Sequence, residues 1–344
     1  MKISAFDYEL PPEAIAQEPA EPRDAARLLR LSPGGGSPTD HVFRDLPLLL
    51  RRGDLLVVNR SRVFPARLLG RRKGGGAAEL LLLRDLGDDR WDAFVRPGRR
   101  LRPGSVVTLE AGLSAVVESG AVGPEGRRVI ALRADTGSVA EALERAGHVP
   151  LPPYIRRPDR AEDRERYQTV YAREKGSVAA PTAGLHFTRE LLDALRAEGI
   201  ATAEVVLHVG PGTFRPVTVE DVEDHRLEPE PFLVPTETAD ALAAVRAAGG
   251  RVIAVGTTVV RTLEAAARDD RTVAAGAGET SLVIQPGFTF RAVDALVTNF
   301  HLPKSSLLLL VSALAGRERV LAAYAEALRR GYRFYSYGDA MLIG

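Results

Sequence analysis

The segment PARLLGRRKGGGAAELLLLRDLGDDRWDAFV (residues 65–95) alternates short β-favouring runs with turns rich in glycine and aspartate. Runs of this kind cover residues 65–69, 78–83, 91–95, 105–109, 113–118 and 128–132. Evenly spaced short strands separated by turn residues are typical of a small barrel or sandwich. We therefore predict a small antiparallel β-barrel domain over residues 61–150, which ends in a helix near 138–146.

The sequence on both sides of this region has the texture of an α/β layer. Residues 1–60 end in an apolar strand at 55–59, and helical and strand patterns alternate after the proline-rich segment 149–153. Helices are predicted at 163–174, 189–198, 238–248 and 259–268, and strands at 203–209, 251–255, 281–284 and 295–298. We predict a discontinuous main α/β domain with a mixed sheet, built from residues 1–60 and 151–344, into which the barrel is inserted.

Composition limits the classes of function. The 344 residues contain 45% hydrophobic residues, enough for the cores of about two domains. Cysteine is absent, so disulfides, thiolate nucleophiles and cysteine-based metal sites are excluded. Apolar runs are far shorter than the ~20 residues of a membrane span, and no signal-like segment opens the chain. These features predict a soluble, cytoplasmic protein.

The net charge of +1 confines any nucleic-acid contact to local basic clusters. The clusters that we consider for RNA binding are Arg99, Arg100, Arg102, Arg156 and Arg157. A solvated charged face is the alternative interpretation of each cluster.

The segment GSVAAPTAGLHFT (residues 176–188) is the first candidate for a functional site. Its small residues allow close approach of the backbone to a ligand, and His186 can exchange a proton near neutral pH. A tight packed loop with a structural histidine is an equally good interpretation of this segment alone.

Other candidate residues follow predicted strands, where α/β folds place their sites. His208 precedes the loop 210–216, Asn299 and His301 follow the strand at 295–298, and His225 and Glu230 lie in a polar loop. The Gly256-Thr257-Thr258 segment begins a helix whose free N–H groups suit a carboxylate or phosphate, although an ordinary threonine cap fits equally well. The histidine spacing matches no metal-binding pattern, so acid/base or hydrogen-bonding roles are favoured.

Nine segments along the chain carry a family resemblance. They are FDYELPPEAIAQEPAEPRDAARLL (6–29), DLLVVNRSRVFPARLLG (54–70), WDAFVRPGRRLRPG (91–104), VPLPPYIRR (149–157), RYQTVYAREKGSVAAPTAGLHFT (166–188), HVGPGTFRPV (208–217), GTTVVRTLE (256–264), TNFHLPKSSLLLLVSALAG (298–316) and YRFYSYGDAMLI (332–343). In this order they resemble the S-adenosylmethionine:tRNA ribosyltransferase-isomerase family of queuosine biosynthesis.

The resemblance implies a fold, a reaction and partners. An α/β domain carrying an inserted β-barrel would move the ribosyl part of S-adenosylmethionine to 7-aminomethyl-7-deazaguanine at the wobble position of tRNA and isomerise it. Epoxyqueuosine-tRNA, adenine and methionine would be the products. S-adenosylmethionine would be a co-substrate, no metal would be needed, and the protein would be a monomer.

The resemblance also assigns candidate roles within the matching segments. Acid/base candidates are His186, His208, His225, Glu230, His301 and Asn299. Candidates for binding S-adenosylmethionine are Thr182, Gly184, Phe187, Gly210, Thr213, Gly256, Thr257, Thr258, Arg261, Phe300, Tyr337 and Asp339. Arg261 with the Thr257 helix start would bind the methionine carboxylate, and aromatic rings would face the sulfonium.

One position departs from the family pattern. Where the family has a second histidine in this polar loop, the chain has Glu228. Either a carboxylate replaces an imidazole in proton transfer there, or the position only shapes the loop. Two alternative functions also stay open: another S-adenosylmethionine-dependent RNA enzyme, such as a methyltransferase, and a non-catalytic RNA-binding protein.

Overall fold

A computed structural model of the chain describes residues 1–120, 126–210 and 217–344. The strands are β1 Arg27–Leu31, β2 Thr39–Val42, β3 Leu55–Asn59, β4 Ser61–Val63, β5 Arg67–Arg72, β6 Ala77–Asp85, β7 Arg90–Arg96, β8 Val106–Leu109, β9 Leu113–Val117, β10 Arg127–Ala134, β11 Glu174–Ser177, β12 Ala201–Leu207, β13 Glu230–Val234, β14 Val252–Val255, β15 Gly276–Thr280, β16 Ala295–Asn299 and β17 Ala340–Ile343. The α-helices are α1 Leu46–Leu49, α2 Val139–Ala146, α3 Asp163–Arg166, α4 Arg189–Ala197, α5 Thr236–Ala247, α6 Thr257–Ala266, α7 Ser306–Ala315 and α8 Arg317–Arg329. No helix in these ranges is long and apolar enough to cross a membrane.

The main domain is built on a mixed sheet. Its strand order is β15-β13-β12-β3-β14-β16-β17-β1-β2. The neighbours β12, β3, β14 and β16 run parallel, whereas antiparallel pairs flank this central group. Every residue of β3, β14 and β16 is buried, as expected for parallel strands covered on both faces. The predicted α/β class with a mixed sheet is confirmed.

The predicted barrel is also confirmed. Strands β10-β7-β6-β5-β8-β9 close on one another, and alternate side chains of β6 and β9 point into the barrel core. Helix α2 covers one side of it and begins with a reciprocal cap, in which Ser138 and Glu141 accept each other's backbone N–H. The barrel strands begin at Arg67, because β4 pairs with β11 instead of joining the barrel.

Two local predictions were wrong, and in both cases tertiary contacts decided the structure. The helix predicted at 163–174 ends at Arg166, because Gln168 turns inward to exchange hydrogen bonds with the backbone of Val63. The strand predicted at 281–284 lies earlier, at β15. There Gly278 makes room for the ring of Phe232 on β13, so pairing outweighs the weak strand propensity of glycine.

Candidate active site

The carboxyl ends of the four central parallel strands meet at one edge of the sheet. Strand β3 ends at Asn59, β14 leads into Gly256, β16 ends at Asn299 and β12 leads into His208. Ligands of open α/β sheets bind at such an edge. The segment that follows β11, including a 3₁₀ turn at Thr182–His186, lies against the end of β16.

A narrow cleft at this edge brings together the four segments that the sequence singled out. Its lining residues are Ala180, Pro181, Thr182, Ala183, Val209, Gly256, Thr257, Thr258, Thr298, Asn299, His301 and Leu307. The cleft volume is about 30 Å³, far below the roughly 300–1,000 Å³ of typical ligand pockets. A ligand of the size of S-adenosylmethionine therefore requires its walls to separate. Thr213 and its loop neighbours 211–216 lie outside the described residues.

Asn299 and His186 form the polar centre of this site. The Asn299 amide donates to Nε2 of His186 at 3.2 Å and to the backbone carbonyl of Tyr335 at 3.0 Å. His186 therefore accepts at Nε2 and carries its proton on Nδ1. Burial, together with the charges of Arg333 and Arg23, lowers the pKa of His186 to about 3. The imidazole is neutral at physiological pH and is a weak base.

The Oδ1 atom of Asn299 has no hydrogen-bond partner among the described residues, although it is buried. A buried acceptor without a donor costs about 1–3 kcal/mol. This atom therefore has an open hydrogen-bonding position in a side chain that lines the cleft.

His301 is fixed on the other side of the cleft. Its Nε2 lies 2.8 Å from the hydroxyl of Thr298, and its backbone N–H donates to the hydroxyl of Tyr324 at 3.0 Å. Burial lowers its pKa to about 3. His301 is therefore a second neutral imidazole held rigidly at this edge.

The other two candidate histidines do not line the cleft. His208 lies one residue before Val209, and Val209 does line the cleft. The ring of His208 packs against Gly176 instead. A Cβ atom added to Gly176 would lie 2.7 Å from the ring of His208. His225 follows a 3₁₀ turn at Val222–Asp224. Burial lowers the pKa of both side chains, and Arg226 adds to this effect at His225.

Glu230 and Arg261 form a buried ion pair instead of facing the cleft. Arg261 lies in the second turn of α6, is 3% exposed, and also donates to the backbone carbonyls of Leu282 and Thr280. Glu230 accepts the backbone N–H of Gly210 at 2.8 Å. The charge of Arg261 is therefore matched inside the protein, and the pair positions the chain at Gly210.

Several residues predicted to contact S-adenosylmethionine have structural partners. Phe187 and Phe300 are completely buried among other aromatic rings. Tyr337 donates to Asp163, and Asp339 accepts the backbone N–H groups of Arg27 and Arg333. Gly184 is required by packing, because an added Cβ would lie 2.2 Å from the hydroxyl oxygen of Tyr171.

The sequence did not single out two residues that position the site, Asn59 and Ser177. Asn59 accepts the N–H groups of Ser61 and Leu207 and donates to the Leu207 carbonyl and the Thr258 hydroxyl. Ser177 donates to Ser61 and accepts the N–H of Val209 at 2.9 Å. An asparagine at the end of an otherwise apolar strand was the available signal for Asn59.

The candidate RNA-binding arginines fall into two groups. Arg99, Arg100, Arg102 and Arg156 are exposed and have no ion-pair partner in the part of the chain that the structure describes. Arg157 differs, because it forms a bidentate pair with the buried Asp163 at 2.6 and 2.8 Å.

Glu228 pairs with Arg127 of the barrel at 2.9 Å. No cluster of three or more histidine, aspartate or glutamate side chains suited to a metal occurs in the described ranges.

Comparison with known proteins gives a full-length match. The family model described as queuosine biosynthesis protein matches residues 3–343. The chain is 54% identical to a protein of Heliobacterium modesticaldum and 55% identical to one of Symbiobacterium thermophilum, with complete coverage of both chains in each case. Both relatives are named S-adenosylmethionine:tRNA ribosyltransferase-isomerase. A crystal structure of S-adenosylmethionine tRNA ribosyltransferase from Thermotoga maritima is 40% identical, with a TM-score of 0.57 over 99% of this chain and all of that one.

Proposed function

The chain belongs to the queuosine biosynthesis protein family, and from this membership we propose that it transfers and isomerises the ribosyl group of S-adenosylmethionine onto tRNA. The acceptor is 7-aminomethyl-7-deazaguanine at the wobble position, and the products are epoxyqueuosine-tRNA, adenine and methionine. One observation supports placing this reaction at the cleft. Four segments converge there, and the Oδ1 atom of Asn299 in the cleft wall accepts no hydrogen bond from the described residues.

The start of α6 supplies a site for the methionine carboxylate. Gly256, Thr257 and Thr258 line the cleft, and the helix they begin has ten residues. The N–H groups at the start of this helix carry a partial positive charge that favours an anion. Since Arg261 is paired with Glu230, the helix start takes the role that the sequence had assigned to the arginine.

The neutral state of the cleft histidines suits a cationic substrate. With pKa values of about 3, His186 and His301 carry no charge that would repel a sulfonium at neutral pH. They hold Asn299 and Thr298 in place, and Asn299 Oδ1 accepts a hydrogen bond from the amino group of the departing adenine. The proton beside the sulfonium passes to a base within about 3 Å or through one water molecule.

We assign the contact with tRNA to two segments. One is the barrel, which is a domain inserted between residues 60 and 151, and the other is the linker after the barrel. The exposed, unpaired arginines of both segments can hold RNA phosphates while the target base leaves its stack. The protein acts as a cytoplasmic monomer in this proposal, and it needs no metal.

Mass spectrometry tests the function directly. Incubation with S-adenosylmethionine and tRNA that carries the deazaguanine should add the ribosyl-derived group to the tRNA and release adenine. A tRNA with unmodified guanine is the control substrate and should gain no mass. Release of S-adenosylhomocysteine instead of adenine would indicate a methyltransferase, and no mass change with the modified tRNA would refute the proposal.

A further inference from the structure

A second and much larger cavity lies where the barrel meets the main domain. Its volume is about 740 Å³, within the range of ligand pockets. Leu69, Leu81 and Phe94 of the barrel form one wall, and the linker residues 150–159 form another. Val178 and Ala179 close it on the side of the main domain.

The rim of this cavity carries two arginines that form no ion pair among the described residues, although the carboxylates of Glu79 and Asp159 also line the cavity. Arg96 of the barrel and Arg156 of the linker are exposed and have no hydrogen-bonding or ionic partner for their side chains among the described residues. The other two arginines are paired, Arg67 with Glu79 at 3.0 Å and Arg157 with Asp163. The rim therefore suits a ligand with negative charges at two separated points, as in the phosphates on either side of one nucleotide.

The interior suits a purine base. Leu69, Leu81 and several prolines offer apolar surface against which a base can pack. Asp159 adds a carboxylate acceptor, which already receives the N–H of Val149 at 3.1 Å and lies 3.0 Å from Nδ1 of His148. A guanine-type base presents N–H donors on its Watson–Crick edge, and a carboxylate with a free lone pair can accept them.

The cavity is joined to the narrow cleft by a single stretch of chain. Val178 and Ala179 line the cavity, and Ala180 to Ala183 line the cleft. Five residue steps from 178 to 183 span at most about 18 Å. A base held in the cavity and S-adenosylmethionine in the cleft would thus lie on the two halves of one segment.

We propose that this cavity binds the wobble nucleotide of tRNA after it leaves the anticodon stack, with Arg96 and Arg156 on the flanking phosphates. The assignment rests on the proposed function and deepens it, because it separates the nucleotide site from the site for S-adenosylmethionine. Arg99, Arg100 and Arg102 are exposed and follow Arg96 within a few residues of the barrel chain.

Binding of a fluorescein-labelled anticodon stem–loop RNA, followed by anisotropy, tests this assignment without catalysis. Arg96→Gln and Arg156→Gln should each weaken binding about five- to tenfold and lower the slope of log affinity against log salt by about one. Arg189→Gln is the matched control, since Arg189 is exposed on α4 and lines neither the cavity nor the cleft. It should leave the affinity and the salt slope unchanged.

A second pair of variants tests entry of the base. Leu81→Trp places a large ring in the cavity, whereas Leu83, two residues further along the same strand, is outside the cavity lining and is replaced in the control Leu83→Trp. Leu81→Trp should weaken binding of the intact stem–loop about tenfold and leave binding of a stem–loop with an abasic wobble position unchanged. Leu83→Trp should bind both RNAs as the wild type does.

The outcomes separate this inference from the proposed function. If the wild type modifies tRNA while the Arg96, Arg156 and Leu81 variants bind RNA like their controls, the cavity assignment is wrong and the function stands. If the wild type binds the RNA with these variant effects but forms no product, the cavity assignment stands and the proposed function fails. Should Leu81→Trp not fold, the two exposed arginines decide the question alone.

Discussion

His186 and His301 link the chemistry of the cleft to the stability of the protein. In the folded chain their pKa values are about 3, against about 6.5 for an unfolded imidazole. Below pH 6.5 the unfolded state therefore binds protons that the folded state does not. Above pH 6.5 the two histidines do not reduce the free energy of unfolding. As the pH falls from 6.5 toward 3, each of them lowers the protein's free energy of unfolding by about 1.4 kcal/mol per pH unit.

Replacing either histidine with glutamine should reduce this pH dependence. Between pH 6.5 and 4, His186→Gln or His301→Gln should flatten the slope of unfolding free energy by about 1.4 kcal/mol per pH unit, as measured by urea denaturation at several pH values. His41→Gln, at a half-buried position on β2, is the comparison variant, because it removes an imidazole that lies outside the cleft. Identical slopes for all three variants would show that the buried imidazoles are protonated in the folded state.

Gly176 is required at its position because of His208. Its φ is +143°, and an added Cβ would press on the imidazole ring. Gly276 on β15 has a similar φ of +129° but open space around it, so it is a control for backbone strain alone. Gly176→Ala should destabilise the protein by about 1–3 kcal/mol more than Gly276→Ala, measured by urea denaturation. Equal losses would mean that the ring of His208 moves away freely.

At the scale of elements, the Glu230–Arg261 pair connects β13, α6 and the chain at Gly210. Glu230→Gln should cost about 3–5 kcal/mol, because it leaves the buried guanidinium without its countercharge. The double variant Glu230→Leu/Arg261→Met should recover most of this loss. Thermal or urea denaturation of the three proteins provides the measurement.

Binding of S-adenosylmethionine to the single variants Arg261→Met and Glu230→Leu distinguishes positioning from direct contact. If the pair only holds Gly210, Arg261→Met and Glu230→Leu should raise the dissociation constant by similar factors in calorimetry. A far larger effect of Arg261→Met would instead place the guanidinium on the ligand.

The elements that form the cleft were predictable because strands and their endings have local signals. The apolar runs before Gly256 and Asn299, and the small residues of 176–188, are visible in the sequence. The contacts of Asn59 and Gln168 were not predictable in this way. Each depends on a backbone segment more than a hundred residues away, which neither periodicity nor turn residues can specify.

On the scale of the whole molecule, an ion-pair chain joins the barrel to the main domain. Arg127 on β10 holds the buried Asp92 on β7 and reaches the exposed Glu228 of the main domain. Asp92→Asn should destabilise the protein by about 2–4 kcal/mol. Glu228→Gln should cost less than about 1 kcal/mol, since surface ion pairs contribute little.

The turnover of Glu228 variants answers whether this position takes part in proton transfer. If Glu228 only contacts the barrel, its replacement with glutamine, or with the histidine of the family pattern, should change kcat by less than about twofold. A loss of about tenfold or more in Glu228→Gln, reversed in Glu228→His, would make the position an acid or base.

The insertion of the barrel was predictable from the sequence, but the cavity beside it was not. Alternating burial along β6 and β9 is a local pattern, and the hydrophobic periodicity reproduces it. The cavity instead depends on how Arg96 and Leu81 of one domain face Arg156 and Val178 of the other. Such a junction is decided by packing between surfaces that are distant in sequence.

The fate of isotopic label tests the central claim most directly. Two preparations of S-adenosylmethionine, one labelled in the ribose and one in the methyl group, are incubated with the deazaguanine-containing tRNA, and label in the tRNA is measured. We expect ribose label in the tRNA in proportion to the adenine released, with the methyl label remaining in methionine. Methyl label in the tRNA, or no transfer of ribose label, would contradict the assignment of this chain as a ribosyltransferase-isomerase.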